Sequence, residues 1–132
     1  MSDDRWPVSV KGVFGPSGHV VLLHNERDEW ELPGGRLELT DDSSRAALAR
    51  EIDEELGLEV TVAEAPARTW IYEPLPGRKV LIVTYACRLV GEWPPELTHS
   101  DEHDDVCAWP IGRLDELSLP DGYREDIRYV MG

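Results

Sequence analysis

The feature that most constrains this chain is one amphipathic helix with a defined start, a defined end and an acidic edge. Asp42 or Ser43 can cap its N-terminus, and Gly57 can adopt the left-handed conformation that ends a helix. The apolar positions recur at four-residue spacing and are Leu48, Ile52 and Leu56. The pattern therefore predicts a helix from about Ser44 to Leu56 that packs on a core.

Three glutamates share one edge of this helix. At about 100° per residue, Glu51, Glu54 and Glu55 fall within an arc of about 100°, and only Arg50 is locally able to relieve their repulsion. An ordinary solvated acidic face explains such a pattern without any function. The functional interpretation is a hard-cation site, because carboxylate oxygens suit Mg²⁺. The glycine pair that precedes the helix, Gly34-Gly35, favours the second interpretation.

Alternating and apolar runs on both sides of the helix predict a mixed α/β domain. Val8 to Phe14 indicates a strand, and Val20 to Leu23 indicates a buried strand that pairs back after a turn. Other strands are predicted at Trp30 to Leu32, at Val60 and Val62, and at Arg68 to Tyr72, Val80 to Leu89 and Val106 to Trp109. Glu73 to Arg78 is expected to be a loop over a binding cleft. Pro120 is expected to open a C-terminal helix.

Size and charge limit the classes of function. A chain of 132 residues, 41% hydrophobic and with five tryptophans, predicts one packed domain over residues 1–132. Its formal charge of −14 disfavours nucleic acid as a partner and requires cations wherever a polyphosphate binds. Met1 to Trp6 lacks a signal-peptide pattern and no apolar run has membrane-spanning length. We therefore expect a cytoplasmic protein without a membrane partner.

Gly35 to Leu58 resembles the Nudix box, whose pattern is G-x5-E-x7-R-E-U-x-E-E-x-G-U with U a bulky aliphatic residue. The second half of the pattern matches at every specified position, from Arg50 to Leu58. The first half departs from it, because one extra residue lies between Gly35 and Arg50 and an aspartate, Asp41 or Asp42, replaces the glutamate. Either aspartate can still brace Arg50 through a charge-assisted hydrogen bond.

The resemblance implies an α/β/α sandwich with a mixed sheet and a Mg²⁺ site in which Mn²⁺ can substitute. Carried over to this sequence, the metal ligands are Glu51, Glu54, Glu55 and the Gly35 carbonyl. Glu102 stands where similar enzymes take a further acidic residue, either for the metal or as general base, and a surface glutamate is the plain alternative. The candidate catalytic residues are accordingly Glu51, Glu54 and Glu102. Family members often form homodimers.

The implied reaction is hydrolysis of a diphosphate bond in a small nucleotide derivative, with release of a nucleoside monophosphate. Pro74 lies where some ADP-ribose-cleaving members have a proline, which slightly favours ADP-ribose or a nucleotide sugar over a nucleoside triphosphate. Trp70, Tyr72 and Arg78 flank the same predicted loop and are candidates to stack on a base or to bind a phosphate. Aromatic residues in strands more often belong to the core.

Two alternatives come from other classes of protein. A Nudix-like domain that only senses a nucleotide would not need three metal-binding acids. The stretch His99 to His103 also matches the H-x-x-E-H pattern of inverted zinc peptidases, which requires a helix and a third ligand. Two solvent-facing loop histidines are the simpler explanation of that stretch. Under the leading hypothesis, replacing Glu54 or Glu55 by glutamine should leave the thermal midpoint unchanged or raised, because it removes one of three like charges.

Overall fold

The predicted alternation of strands and helices is present in the computed structural model, which describes residues 5–132. Within these residues the elements are, in chain order, β1 (Val8–Val13), β2 (His19–His24), β3 (Trp30–Glu31), β4 (Gly34–Arg36), α1 (Ser44–Leu56), β5 (Val60–Val62), β6 (Arg68–Leu75), β7 (Arg78–Leu89), β8 (Asp105–Pro110), a 3-10 helix (Ile111–Glu116) and α2 (Asp121–Met131). The 3-10 helix was not expected from the sequence.

A five-stranded mixed sheet forms the centre of the fold. Strand β1 pairs antiparallel with β4 and parallel with β7, whose other edge pairs first with β6 and then with β5. A second sheet has the order β3-β2-β8. The mixed sheet with a helix on either side confirms the α/β/α sandwich that the resemblance implies.

Strand β2 does not pair back on β1 as the sequence suggested. Both edges of β1 are already occupied, by β4 and by β7, and β2 instead pairs with β3 and β8. A single hydrogen bond, from the Val21 amide to the Phe14 carbonyl, remains of the expected hairpin. The chain can turn away because a side chain on Gly15 would meet the His19 carbonyl oxygen at 2.1 Å, a closeness that only glycine permits.

The alternation of side chains in the strands divides the interior into two clusters. Val10, Val21 and Tyr85 face α1, whereas the neighbouring residues Val20 and Ile82 face α2. The side of β1 that faces α2 also carries Lys11, which is buried. Both faces of the central strand are therefore covered, which explains why so many consecutive residues of β1 are buried.

The helix α1 begins and ends where the sequence predicts. Ser43 is the cap, and its Oγ accepts a hydrogen bond from the Ala46 amide at 3.0 Å. Gly57 has a φ of 66° and donates its amide hydrogen to the Asp53 carbonyl at 2.8 Å. The predicted stripe is buried and consists of Leu48, Ile52 and Leu56. These contacts fix which edge of the helix the glutamates occupy.

The predicted loop from Glu73 to Arg78 is mostly strand. Strands β6 and β7 continue into a tight hairpin in which Gly77 has a φ of 79°. The pairing is irregular between Tyr72 and Leu75, at the position of Pro74, which has no amide hydrogen to donate. The segment therefore forms a stiff edge of a cleft and not a flexible cover.

The C-terminal helix α2 follows Pro120, as predicted, and buries Tyr123 and Ile127. Within residues 5–132 no helix is long and apolar enough to cross a bilayer. A signal-peptide pattern was sought in the segment from Met1 to Trp6, of which residues 1–4 lie outside the described part of the chain.

Candidate active site

The carboxylate edge of α1 lies against strand β4. A Cβ atom on Gly35 would be 2.5 Å from the carboxyl carbon of Glu51, so a side chain at this position would displace the Glu51 carboxylate from the strand. The Glu51 side chain is 15% exposed, whereas that of Glu54 is 60% exposed and reaches solvent. Exposure to solvent therefore increases along this edge of the helix from Glu51 to Glu54.

The electrostatic environment of Glu51 disfavours a negative charge. Burial raises the pKa of the Glu51 carboxyl, and the charges of Glu54 and Glu102 raise it further against the opposing charge of Arg50. The contribution of Glu102 means that its carboxylate lies within electrostatic reach of Glu51, although the two residues are far apart in sequence. These three acids share a site that a cation would relieve.

Among the described residues, Arg50 is the only cation that forms ion pairs with Glu51 and Glu54. Its guanidinium donates two hydrogen bonds of 3.1 Å to the Asp41 carboxylate and others to Glu51 at 3.2 Å and Glu54 at 3.1 Å. Asp41, and not Asp42, is therefore the aspartate that braces the arginine. Glu38 also lies 3.8 Å from the guanidinium, so one positive charge is divided among four carboxylates.

A tight turn absorbs the additional residue of the loop before α1. The Glu38 amide donates to the Asp41 carboxylate at 2.8 Å, and the Asp41 amide donates to the Glu38 carbonyl at 3.0 Å. Asp41 is thereby held in position to reach Arg50, and the Asp41 side chain is only 8% exposed. The insertion changes the loop locally but keeps the brace on the arginine.

Glu55 has a different environment from the other two glutamates. It is 5% exposed, and its carboxylate accepts a hydrogen bond of 2.7 Å from the Ser100 hydroxyl. Its second oxygen lies 2.8 Å from Nδ1 of His103, whose Nε2 lies 2.7 Å from Glu31. The hydrogen bond to Glu31 raises the pKa of His103, burial lowers it and Glu55 raises it, with a net upward shift. His103 therefore links two carboxylates from different elements.

These contacts remove the support for a zinc-peptidase site. The stretch from His99 to His103 contains no helix, and His99 is exposed. Both ring nitrogens of His103 contact carboxylates. His103 is also not the solvent-facing histidine that the simpler explanation expected, since its side chain is 11% exposed.

The predicted metal ligands are only partly brought together. Within residues 5–132 no three His, Cys, Asp or Glu side chains stand in an arrangement ready to hold a metal ion. Glu55 turns to Ser100 and His103, while Glu51 lies against Gly35 and Glu54 contacts Arg50. The donors nevertheless suit a hard cation, because they are carboxylate oxygens whose mutual repulsion one arginine does not cancel.

A cleft of about 220 Å³ adjoins Gly35 on the side of the sheet that α2 covers. Its charged lining residues are Lys11, Arg27, Glu31 and Arg36. The ammonium of Lys11 lies 3.9 Å from Glu31, which places a buried positive charge beside the chain of contacts to Glu55. The cleft thus offers cations to an anionic ligand next to the carboxylate edge.

The three predicted substrate-binding residues fall in different places. Tyr72 lines the cleft beside Gly35, and Arg78 lines a larger neighbouring cavity. Trp70 packs in the core against Tyr123 at a ring distance of 5.0 Å and donates its indole hydrogen to Asp126 at 2.8 Å. These contacts are sufficient to explain a tryptophan at position 70 as a packing residue. The role of Trp70 in substrate binding stays a prediction.

Sequence analysis did not select the cations of the cleft. Lys11 lies in the middle of a buried strand, where a lysine is costly without a partner, and this position was the available signal. Arg27 lies in a turn and Arg36 is the last residue of β4, and nothing in their local sequence distinguishes them from surface arginines. Only the pairing of the strands brings all three cations to one cleft.

Comparison with known proteins identifies the family of the chain. The NUDIX domain family matches residues 4–131. An RNA pyrophosphohydrolase of Caulobacter vibrioides (strain NA1000 / CB15N) is 35% identical over 124 residues, which cover 79% of this chain and 69% of that protein. A CTP pyrophosphohydrolase of Escherichia coli (strain K12) is 57% identical over 60 residues, covering 42% of this chain and 44% of that protein.

A solved structure shows the same fold. The MutT protein from Methanosarcina mazei Go1 has a TM-score of 0.78 and 22% identity, with coverage of 98% of this chain and 96% of that one. The sandwich and the acidic helix edge beside a glycine loop define a pyrophosphohydrolase that acts on small nucleotide substrates. The chain belongs to the Nudix family and is a Nudix hydrolase.

Proposed function

We propose that this protein hydrolyses a diphosphate bond in a nucleoside diphosphate that is linked to another moiety, with Mg²⁺ as cofactor. The observation that carries the proposal is the contact between Glu51 and Gly35, since it joins the acidic edge of α1 to the cationic cleft. A diphosphate held by Lys11 and Arg36 would lie next to carboxylates that can hold a cation.

In this proposal Glu51 and Glu54 hold the metal, with the Gly35 carbonyl beside them. When bound, Mg²⁺ neutralises the diphosphate and activates water for attack on phosphorus. Glu55 would complete the predicted set through the lone pair that each of its oxygens keeps beside the contacts with Ser100 and His103. Arg50 keeps Glu51 and Glu54 oriented through its brace to Asp41.

We assign the proton-accepting role to Glu102. Its carboxylate is on the surface and within electrostatic reach of Glu51, and in the described part of the chain it has no ion-pair partner within 4.0 Å. Attack by water on one phosphorus breaks the bridging P–O bond, and the proton of the water passes to a carboxylate oxygen. The products are a nucleoside monophosphate and the phosphorylated remainder. Glu51 and Glu54 are the alternatives for this role.

A second candidate is pyrophosphohydrolysis of a nucleoside triphosphate. The observation that favours it is the similarity of one half of the chain to a CTP pyrophosphohydrolase, at 57% identity over 60 residues. The two candidates use the same carboxylates and differ in what lies beyond the scissile bond, so product analysis separates them.

The test is product analysis with Mg²⁺ and a panel of ADP-ribose, nucleotide sugars, dinucleoside polyphosphates and nucleoside triphosphates. Glu54→Gln should lower turnover by about a hundredfold or more, because each tenfold corresponds to about 1.4 kcal/mol of lost transition-state stabilisation. Asp53→Asn is the matched control, since it removes an exposed carboxylate from the adjacent position of the same helix. Full activity of Glu54→Gln, or no turnover of any substrate with Mg²⁺ or Mn²⁺, would contradict the proposal and favour a nucleotide-sensing domain.

A further inference from the structure

The loop from His99 to Asp104 is attached to α1 through Glu55. The Ser100 amide donates a hydrogen bond of 2.9 Å to the Glu55 carbonyl, and the Ser100 hydroxyl donates one of 2.7 Å to Oε2 of the Glu55 carboxylate. Nδ1 of His103 lies 2.8 Å from Oε1 of the same carboxylate. The loop thus contacts both the main chain and the two side-chain oxygens of Glu55.

The imidazole of His103 is itself held from its other side. Its Nε2 lies 2.7 Å from Oε1 of Glu31, a residue of β3 in the lining of the cleft. The side-chain amide of Asn25, which is buried, donates a hydrogen bond of 3.0 Å to the second Glu31 oxygen. Because both ring nitrogens have a partner, the His103 ring cannot turn without losing two contacts. His103 is therefore a rigid spacer between the wall of the cleft and α1.

The neighbouring glutamates of α1 differ in how their side chains are held. Glu54 is 60% exposed and, in the described part of the chain, pairs with Arg50. Glu55 is buried and has a hydrogen-bonding group at each oxygen. A glutamate side chain has several rotatable bonds, and fixing them before a ligand arrives removes an entropic cost from binding. Glu55 is accordingly the better oriented of the two, and each of its oxygens keeps a lone pair for a cation.

The contact between His103 and Glu55 can act on cation binding in two opposite directions. A group that competes with the cation for a carboxylate oxygen weakens binding, so its removal would raise the affinity. A group that orients the carboxylate strengthens binding, so its removal lowers the affinity. The second direction is favoured here, because Glu31 holds the ring from behind and the ring in turn fixes the Glu55 carboxylate.

We propose that His103 is a positioning residue for the metal site, which holds the Glu55 carboxylate in one orientation as a ligand of the cation. The inference rests on the proposed function, in which Glu55 completes the set of metal ligands. His103 contacts neither the cation nor the substrate in this role and acts only through Glu55. Its contact with Glu31 extends the support to the wall of the cleft, so that one side chain connects the carboxylate edge of α1 with the cleft.

The test is the affinity of the protein for Mn²⁺ alone, measured without nucleotide from the electron paramagnetic resonance signal of the free ion. His103→Ala should weaken Mn²⁺ binding by roughly tenfold or more, because a group that orients a metal ligand is lost. His103→Gln should lie between His103→Ala and wild type, since the glutamine amide keeps a hydrogen-bond donor. Circular dichroism at the temperature of the titration verifies that each variant is folded, and His103→Gln carries the test if His103→Ala unfolds.

His99→Ala is the matched control, since it makes the same change at an exposed histidine of the same loop. Its Mn²⁺ affinity should equal that of wild type. A double-mutant cycle then determines whether His103 acts through Glu55. In a Glu55→Gln background, His103→Ala should have little further effect, and an equal loss of affinity with and without Glu55 would overturn the positioning role. Unchanged or stronger Mn²⁺ binding by His103→Ala would overturn it as well.

Because no substrate is present, this measurement is independent of the proposed activity. If wild type hydrolyses no substrate and His103→Ala still loses Mn²⁺ affinity through Glu55, the positioning role stands and only the activity fails. If hydrolysis is observed and the Mn²⁺ affinity of His103→Ala equals that of wild type, only the positioning role fails. Wild-type protein that binds no Mn²⁺ would overturn the positioning role whatever the product analysis shows.

Discussion

The two helices of the sandwich place carboxylates against the same sheet. The number of hydrogen-bond donors that satisfy each carboxylate differs greatly between the two helices. Asp126 on α2 is fully buried and accepts hydrogen bonds from Arg68 at 2.6 Å, Thr84 at 2.7 Å and Trp70 at 2.8 Å. Glu51 on α1 shares Arg50 with three other carboxylates, those of Glu38, Asp41 and Glu54.

The difference teaches how a structural acid can be distinguished from a functional one. Burial raises the pKa of Asp126 as it does that of Glu51, but both oxygens of Asp126 accept hydrogen bonds from the protein, and the residue joins α2 to strands β6 and β7. The cluster on α1 keeps unneutralised oxygens at the edge of a cleft. Natural proteins retain such an electrostatic conflict mainly where a ligand or metal ion relieves it.

The largest effect on stability is expected for Asp126 on α2, whose carboxylate accepts three hydrogen bonds. Asp126→Ala should lower the free energy of unfolding by about 3 kcal/mol, because it leaves buried donors and the Arg68 charge without their acceptor. Urea unfolding followed by tryptophan fluorescence measures the change. Glu125→Ala is the control, since it removes the exposed second partner of Arg68 and should cost less than about 1 kcal/mol. Equal effects of the two changes would abolish the distinction between the two helices.

Glu31 tests whether the contribution of an acid to stability depends on its charge partners and hydrogen-bond donors and not on its distance from the cleft. Glu31 lines the cleft. Burial raises the pKa of its carboxyl, but the charge of Lys11 and the hydrogen bonds from His103 and Asn25 outweigh burial and lower the pKa to about 2. Because the folded pKa is below the ordinary value of 4.5, Glu31 stabilises the fold fully above that pH. The contribution is lost as the pH falls from about 4.5 toward 2.

The measurement for Glu31 is the difference in unfolding free energy between wild type and Glu31→Gln across that pH range. We expect a difference of about 2 kcal/mol near neutral pH that shrinks toward acid. A difference that is constant with pH would show that the ionised state of Glu31 does not support the fold.

A smaller effect on the free energy of unfolding should distinguish Glu55 from its neighbour Glu54 on α1. Glu55→Gln should lower the free energy of unfolding by about 1.5 kcal/mol, because it breaks the contact with His103 in a buried setting. This reverses the expectation from the sequence, which treated Glu54 and Glu55 as equal members of a repelling cluster. Glu54→Gln should change stability by less than about 0.5 kcal/mol, since Glu54 is mostly exposed and its gain and loss of charge contacts nearly cancel. Thermal unfolding of the matched pair decides between the two accounts.

The smallest effect concerns the metal itself. Mg²⁺ at tenfold above its dissociation constant should stabilise the native protein by about 1.4 kcal/mol, if it binds only the folded state. Wild type should show a corresponding rise in the thermal midpoint, Glu51→Gln should show much less, and Glu125→Ala should respond like wild type. A response of Glu51→Gln equal to that of wild type would place the cation away from α1.

The sequence by itself determined the elements that depend on local interactions. The cap at Ser43, the left-handed Gly57 and the four-residue stripe of α1 are set by residues within a few positions of one another, and they fix the edge on which Glu51 and Glu54 lie. The acidic pattern on that edge, with Arg50 and the glycines before the helix, was sufficient to indicate the family that the comparisons then showed.

Features that depend on pairing between distant segments were decided only by the tertiary structure. The partners of β2 could not be derived from the sequence, because the free edges of β1 depend on strands that lie later in the chain. For the same reason, the turn of Glu55 toward His103 and the gathering of the cations around one cleft left no local pattern. Hydrogen bonds and charges act on whatever the fold brings within a few ångströms, and the long-range pairing of strands sets those distances.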